Sequence, residues 1–278
     1  MKRSLVMRTT TRLLACCGLA LAAAAPNVGA QSLAQRISAV SDGTVQFHFA
    51  SRPGVCGDGR SFISLGHSLF MGSSTMRLGD AEWRQACVSG PVRVVLSVYD
   101  HTVDQIRTYV GELPPHQPDV TELGVASTRD ATEYLLSLAE HLDGSTSERA
   151  ILPAVLADSA VVWPRLLAIA RDSDTRPRVT RQTAAFWLGR FAAAAMSGRS
   201  IGTLDEQADA AADTDDVRDA AVFGLSQLKH HAGVPPLIQV AESNKSTQVR
   251  ERAIFWLSQS DDPRALEFFE SILRDKGR

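Results

Sequence analysis

Four cysteines in 278 residues are few, and two of them, Cys16 and Cys17, fall in an apolar stretch near the N-terminus. The remaining pair, Cys56 and Cys87, stands in no C-x-x-C or H-x-x-x-H pattern, which excludes a four-ligand zinc site of the finger or ribbon kind. Basic residues do not cluster, the formal net charge is -2 and the pI is about 6.4, so the electrostatic footprint of a nucleic-acid binder is missing. Arginine supplies most of the positive charge, from which no partner follows. No H-E-x-x-H or G-x-G-x-x-G motif is present, and the acids are scattered without a pair suited to acid–base work. These absences imply a chain that is not an enzyme and needs neither metal nor organic cofactor.

A long apolar run occurs only at the start. Residues 1–12 carry Lys2, Arg3, Arg8 and Arg12 and no acid, residues 13–25 are apolar, and Val28-Gly29-Ala30 has the small-x-small form. This is the pattern of a secretory signal peptide cut after Ala30, and it is too short to span a membrane comfortably. Residues 1–30 are therefore expected to be a leader, and the mature protein periplasmic or extracellular, with no membrane span after cleavage. Leu13-Leu14-Ala15-Cys16 also matches a lipoprotein cleavage box, which would anchor the protein through Cys16, but it would leave few apolar residues ahead of the cut. In an exported chain the surviving pair of cysteines points to a Cys56–Cys87 disulfide. In the chain-entropy model such a closure stabilises by roughly 3–4 kcal/mol.

Residues 31–113 read as β structure. Val45-Gln46-Phe47-His48-Phe49 alternates apolar and polar, as do residues 92–99 and 102–109, with Asp100-His101 between the latter as a tight hairpin turn. Glycines 54, 57, 59, 66, 72, 79 and 90 punctuate the loops, and Trp83 is the expected core anchor. So small a β core is where one disulfide helps most. Pro114, Pro115 and Pro118 then mark an extended linker over residues 114–127. Beyond it, over residues 128–278, alanine and leucine recur at helical spacing.

Within that helical half one phrase is written three times. AAFWLGRF, AVFGLSQL and AIFWLSQS align on Leu188, Leu225 and Leu257, and the alignment superposes Arg181, Arg218 and Arg250, then Ala184, Ala221 and Ala253, then Phe186, Phe223 and Phe255. Val217 and Val249 precede two of the arginines, where the first copy has Thr180. A second apolar segment follows each copy, containing Leu204, Leu237 and Leu266 in turn, and residues 150–171 repeat the plan upstream, with Pro153 inside their first helix. A helix over 131–141 caps the row. About four helix pairs, at a period of roughly 30 to 37 residues, are the mark of an α-solenoid, because one pair alone cannot bury its apolar face.

"VRERAIFWLSQ" and "VRDAAVFGLSQ" resemble the second helix of HEAT repeats, in particular the short bacterial kind called PBS-lyase-like HEAT repeats. The resemblance covers about residues 130–276. It implies an α-α superhelix of HEAT type; with the alternation and the cysteine pair read above, the expected fold is mainly α, the superhelix preceded by a small disulfide-bonded antiparallel β domain. The resemblance also implies that the recurrent arginine pairs with acids of the adjacent unit, here Asp215, Asp216 or Glu251, and that the second helices line a concave face. The expected function is an exported protein–protein interaction scaffold that docks a protein or peptide on that face.

At about 100° per residue, Val249, Ala253, Trp256 and Leu257 share the core stripe, while Glu251 and Ser258 fall nearly opposite. Phe255 lies on the ridge beside Glu251, Phe223 beside Asp219 and Phe186 beside Gln182. Two readings stay open: a row of phenylalanines buried between units, or an exposed partner-binding ridge of Phe186, Phe223 and Phe255 flanked by Gln182, Asp219 and Glu251. Two other functions compete with docking. One is a lyase-like or enzyme-accessory HEAT protein; the other makes the β domain an envelope- or glycan-binding module with the solenoid as spacer. The loop Gly54-Val55-Cys56-Gly57-Asp58-Gly59, with His48 and His67 nearby, reads as a disulfide-anchored glycine turn rather than a nucleophile site. His230-His231 reads as a helix-end pair and a poor chelate.

Overall fold

The computed structural model describes residues 31–65, 68–71, 87–115, 117–198, 201 and 222–276. The leader with Cys16, His67, the anchor expected at Trp83, and Leu204, Asp215, Asp216, Arg218 and Asp219 lie outside the described residues.

The described chain opens with helix α1 (Leu33–Ser38), started by a capping box in which Ser32 and Gln35 satisfy each other's backbone amides. Strands β1 (Gly43–Phe49), β2 (Val55–Gly57), β3 (Phe62–Leu65), β4 (Ser68–Met71), β5 (Val92–Tyr99), β6 (Thr102–Val110) and β7 (Val120–Val125) follow. The larger sheet has the order β6-β5-β1-β7, and β2-β3-β4 form a smaller one. Val45, Phe47 and Phe49 face Leu96, Val94 and Val92 across the β1–β5 pair, and all six are buried. This is the period-two burial that the alternation predicts. Gln46 breaks it: the residue is buried, its amide donates to Glu122 of β7, and Arg93 reaches its carbonyl at 3.5 Å.

The β5–β6 turn is the tight hairpin that Asp100-His101 predicts. Both residues have positive φ, 47° and 60°, the left-handed pair that matches the twist of the strands. Two expectations need correction. The sheet is mixed rather than purely antiparallel, because β7 runs parallel to β1. The segment 114–127 is also not only a linker, since its second half is β7 itself. The reason is topological. β6 and β7 sit on opposite edges, so the chain must cross between them, a span of roughly 14 Å over three strand spacings. Its prolines keep that connection extended and spare it from ladder hydrogen bonds.

Helices α2 (Thr128–His141), α3 (Gly144–Leu156), α4 (Trp163–Arg171), α5 (Arg178–Ser197), α6 (Val234–Ser243), α7 (Thr247–Ser258) and α8 (Pro263–Lys276) make up the rest, with a short helical stretch at 222–226 and a 3₁₀ turn at Lys229–His231. Pro153 does not end α3. α2 packs on α3, α4 on α5 and α6 on α7; α3 also packs on α5 and on β6. Farther along, α7 packs directly on α5, and α8 lies against α4, α5 and α6. Ion pairs cross these contacts: Arg165 grips Glu140 between α4 and α2, and Arg171 meets Glu270 between α4 and α8 at 2.6 Å.

Ser32–Arg278 forms a single unit, and one hydrophobic cluster runs through it from Leu33 to Leu273. Arg52 pins sheet and helices together. Its backbone amide donates to Leu156 O at 2.8 Å, its Nε to Val155 O and its Nη2 to Ala160 O, and its guanidinium lies over the Phe191 ring. Desolvation lowers the Arg52 pKa, against the pull of Asp158. The Val155 and Leu156 carbonyls belong to the last turn of α3, so the arginine caps the helix while anchoring the loop after β1.

Candidate functional site

The aromatic residues of the repeat take their places from α7. Ser246 caps this helix, accepting from Val249 N, and Val249, Ala253 and Leu257 are buried on the stripe that the periodicity predicts. Ser258 departs from expectation. It is 3% exposed, because α5 approaches α7 on the side that the sequence pattern leaves open. Gly189 of α5 permits this approach: a Cβ built there would lie 2.6 Å from the Ser258 Cβ. Trp256 is only half-buried, held between Phe223 and Phe255 with ring centroids 5.1 Å away on each side. Its Nε1 is buried and makes no hydrogen bond among the described residues.

Phe223 is 47% and Phe255 38% exposed, so these two members of the repeated trio stand on the surface around Trp256. Phe186 is half-buried and packs edge-on against Trp187 at 5.3 Å. Of the flanking polar residues, Gln182 is exposed and Glu251 half-buried. The sequence pattern placed Trp256 in the core stripe and so missed its role as the link between two phenylalanines from different segments.

Two of the acids expected to meet the repeated arginine, Asp215 and Asp216, lie outside the described residues. Arg250 donates to Asn244 O at 2.7 Å and to the Thr247 hydroxyl, closing the α6–α7 turn. Asn244 O is a main-chain carbonyl at the end of α6, and a guanidinium that satisfies it stabilises the corner. Arg190, a residue outside the repeated pattern, feels Glu251. Burial pulls its pKa down to about 10 while Glu251 pulls it up.

Cys56 and Cys87 form a disulfide, which occupies both sulfurs and suits an oxidising compartment. Around it the backbone is crowded: a Cβ on Gly57 would meet Val110 O at 2.5 Å. Asp58 organises the turn. Desolvation raises its pKa, but bonds from the Ser61 hydroxyl and from the amides of Ser61, Arg60 and Phe62 prevail and hold it at about 2. This is turn-building geometry, with the carboxylate consumed by its own loop. His48 lies 3.9 Å from Glu122.

His230 and His231 have positive φ in the 3₁₀ turn, and His231 Nε2 lies 3.6 Å from Asp261. Among the described residues no group of three or more His, Cys, Asp or Glu side chains could hold a metal ion, and no helix is long and apolar enough to cross a membrane. Gly198-Arg199-Ser200-Ile201-Gly202 spells G-x-S-x-G, a form that in a nucleophile elbow joins a strand to a following helix. Here α5 precedes it, with Gly198 at the helix end at φ 65°, so the required strand is replaced by a helix; Ser200 lies outside the described residues.

No curated protein and no solved structure matches the chain. Over residues 203–278 the chain is similar to HEAT repeats, whose family model matches there, over the stretch that carries Phe223, Trp256 and Phe255.

Proposed function

We propose that the chain is an exported, non-enzymatic interaction protein whose helical half is a short HEAT-type solenoid of the PBS-lyase-like kind. Its docking surface is the exposed aromatic edge of Phe223, Trp256 and Phe255, with Gln182, Asp219, Glu251 and the half-buried Phe186 as the polar and apolar margin. The partner is a protein or peptide. One observation carries the reading: two phenylalanines written at the same position of a repeated phrase are partly solvent-exposed yet pack on one tryptophan, in the segment that matches HEAT repeats. HEAT repeats generally mediate protein–protein contacts, and exposed aromatic clusters are where interfaces concentrate their energy. Export is supported by the leader pattern and by the disulfide.

The test is a Phe223→Ala/Phe255→Ala double variant, compared with the unaltered chain for capture of partners from the native extracytoplasmic fraction. Far-UV circular dichroism and thermal unfolding verify the fold. Loss of capture by a folded variant is the expected result, and unchanged capture sinks the reading.

A further inference from the structure

The left-handed turn at Asp100-His101 ends β5 at Tyr99, whose side chain is held out into solvent at 74% exposure. Facing it is the corner between α2, which ends at His141, and α3, which begins at Gly144. Thr146 of α3 ties the two walls together, its hydroxyl donating to Asp104 O of β6 at 2.8 Å. Between them lies a cleft of about 650 Å³, lined by Tyr99, Asp104, His141, Asp143 and Thr146, with Val103 and Leu142 at its base. Its size is that of sites for small organic ligands.

The lining narrows the ligand class by elimination. Asp104 and Asp143 bring two carboxylates and the lining contains no lysine or arginine, so an anion is repelled. The first turn of α3 opens on the same wall. Asp143 stands at its N-cap without a side-chain bond to the helix, which leaves amides of that turn available as donors. His141 is fixed on the α2 side of the cleft: its Nδ1 lies 2.8 Å from Ser137 O, and since a carbonyl only accepts, Nδ1 donates there. Donors and acceptors are thus interleaved beside an exposed aromatic ring, and a neutral ligand with hydroxyl edges and an apolar C–H face satisfies all of them.

We propose that this cleft binds an uncharged oligosaccharide, with the Tyr99 ring as stacking platform and Asp104 and Asp143 as hydroxyl acceptors. The site is separate from the aromatic edge on α7, and either assignment stands without the other. The full chain is titrated by calorimetry and by amide chemical-shift mapping with cellohexaose, chitohexaose and maltohexaose, and with spermine and a sulfated oligosaccharide as charged probes. The expected result is millimolar or tighter binding of at least one neutral hexaose, shifts centred on residues 99–104 and 141–146, and affinity about tenfold weaker in Tyr99→Ala but kept in Tyr99→Phe. The proposal is overturned if no neutral hexaose binds at millimolar concentration, if spermine or the sulfated probe binds in their place, or if binding survives Tyr99→Ala.

Discussion

The hydroxyl of Ser147 on α3 lies 2.6 Å from the hydroxyl of Thr180 on α5, and both residues are fully buried. Thr180 is the residue where the first copy of the repeat departs from valine. The departure has a physical partner: a helix-to-helix hydrogen bond to the serine that α3 supplies at this contact. Replacing Thr180 with the valine of the other copies is nearly isosteric, yet it removes the cross-helix bond in a dry contact and leaves the Ser147 hydroxyl only its donation to Gly144 O at 2.9 Å. The expected cost is about 1–2 kcal/mol of unfolding free energy in urea denaturation. In the double variant with Ser147→Ala the loss is largely restored, because no buried hydroxyl is then left without its cross-helix partner. A double-mutant cycle showing strictly additive effects would overturn this account.

The α5–α7 contact makes a second prediction at Gly189. Adding one methyl there sets a Cβ 2.6 Å from the Cβ of Ser258, which is not a flexible side-chain tip that can turn away. Gly189→Ala is expected to destabilise by about 1–3 kcal/mol despite alanine's better helix propensity, by forcing the helices apart. Gly189→Ala combined with Ser258→Gly regains part of the loss. A thermal midpoint raised by Gly189→Ala alone, as propensity by itself dictates, would show that the two helices do not meet in this way.

A third prediction concerns acid. The folded pKa of Asp58 is held at about 2, below the ordinary aspartate value of 3.8. A carboxyl depressed in the folded state stabilises fully above its unfolded pKa and progressively less as pH falls toward its folded value. Asp58→Asn therefore costs about 1–2 kcal/mol at neutral pH. The gap between the two proteins narrows from about pH 4 downward and largely closes near pH 2. Urea titrations across that range check the slope, and a gap independent of pH would refute it.

Much of the β and helical grammar is legible in the residues because it rests on local rules. Asp100-His101 can adopt the left-handed turn and does; the spacing of Val249, Ala253 and Leu257 buries all three. What escapes the sequence is decided by distant neighbours. Nothing near Val120 announces that the chain has crossed the sheet and joined β1, since the proline run before it speaks only for an extended segment. Ser258 looks solvent-facing until Gly189, far off in the chain, supplies a flat surface against it. Arg250 suggests an ion pair by analogy, and nothing in its repeated phrase announces that it also holds the corner carbonyl of Asn244. For the aromatic edge, repetition identifies Phe223 and Phe255, while their meeting at Trp256 depends on tertiary placement.

The parallel pairing of β7 with β1 has a kinetic corollary. Thr44 and Val120 are register partners, so the last place in the larger sheet is filled by a segment separated from its neighbour by two other strands and the whole β2–β4 excursion. Loop closure of that span is unfavourable until other contacts hold its ends near one another. The contacts between α2 and α3 are local and reward the chain early, and α2 begins directly after β7. The helical corner is thus placed to form first and present Val120–Val125 to a waiting edge, which makes the slow step of folding a docking of sheet onto helix rather than the growth of either.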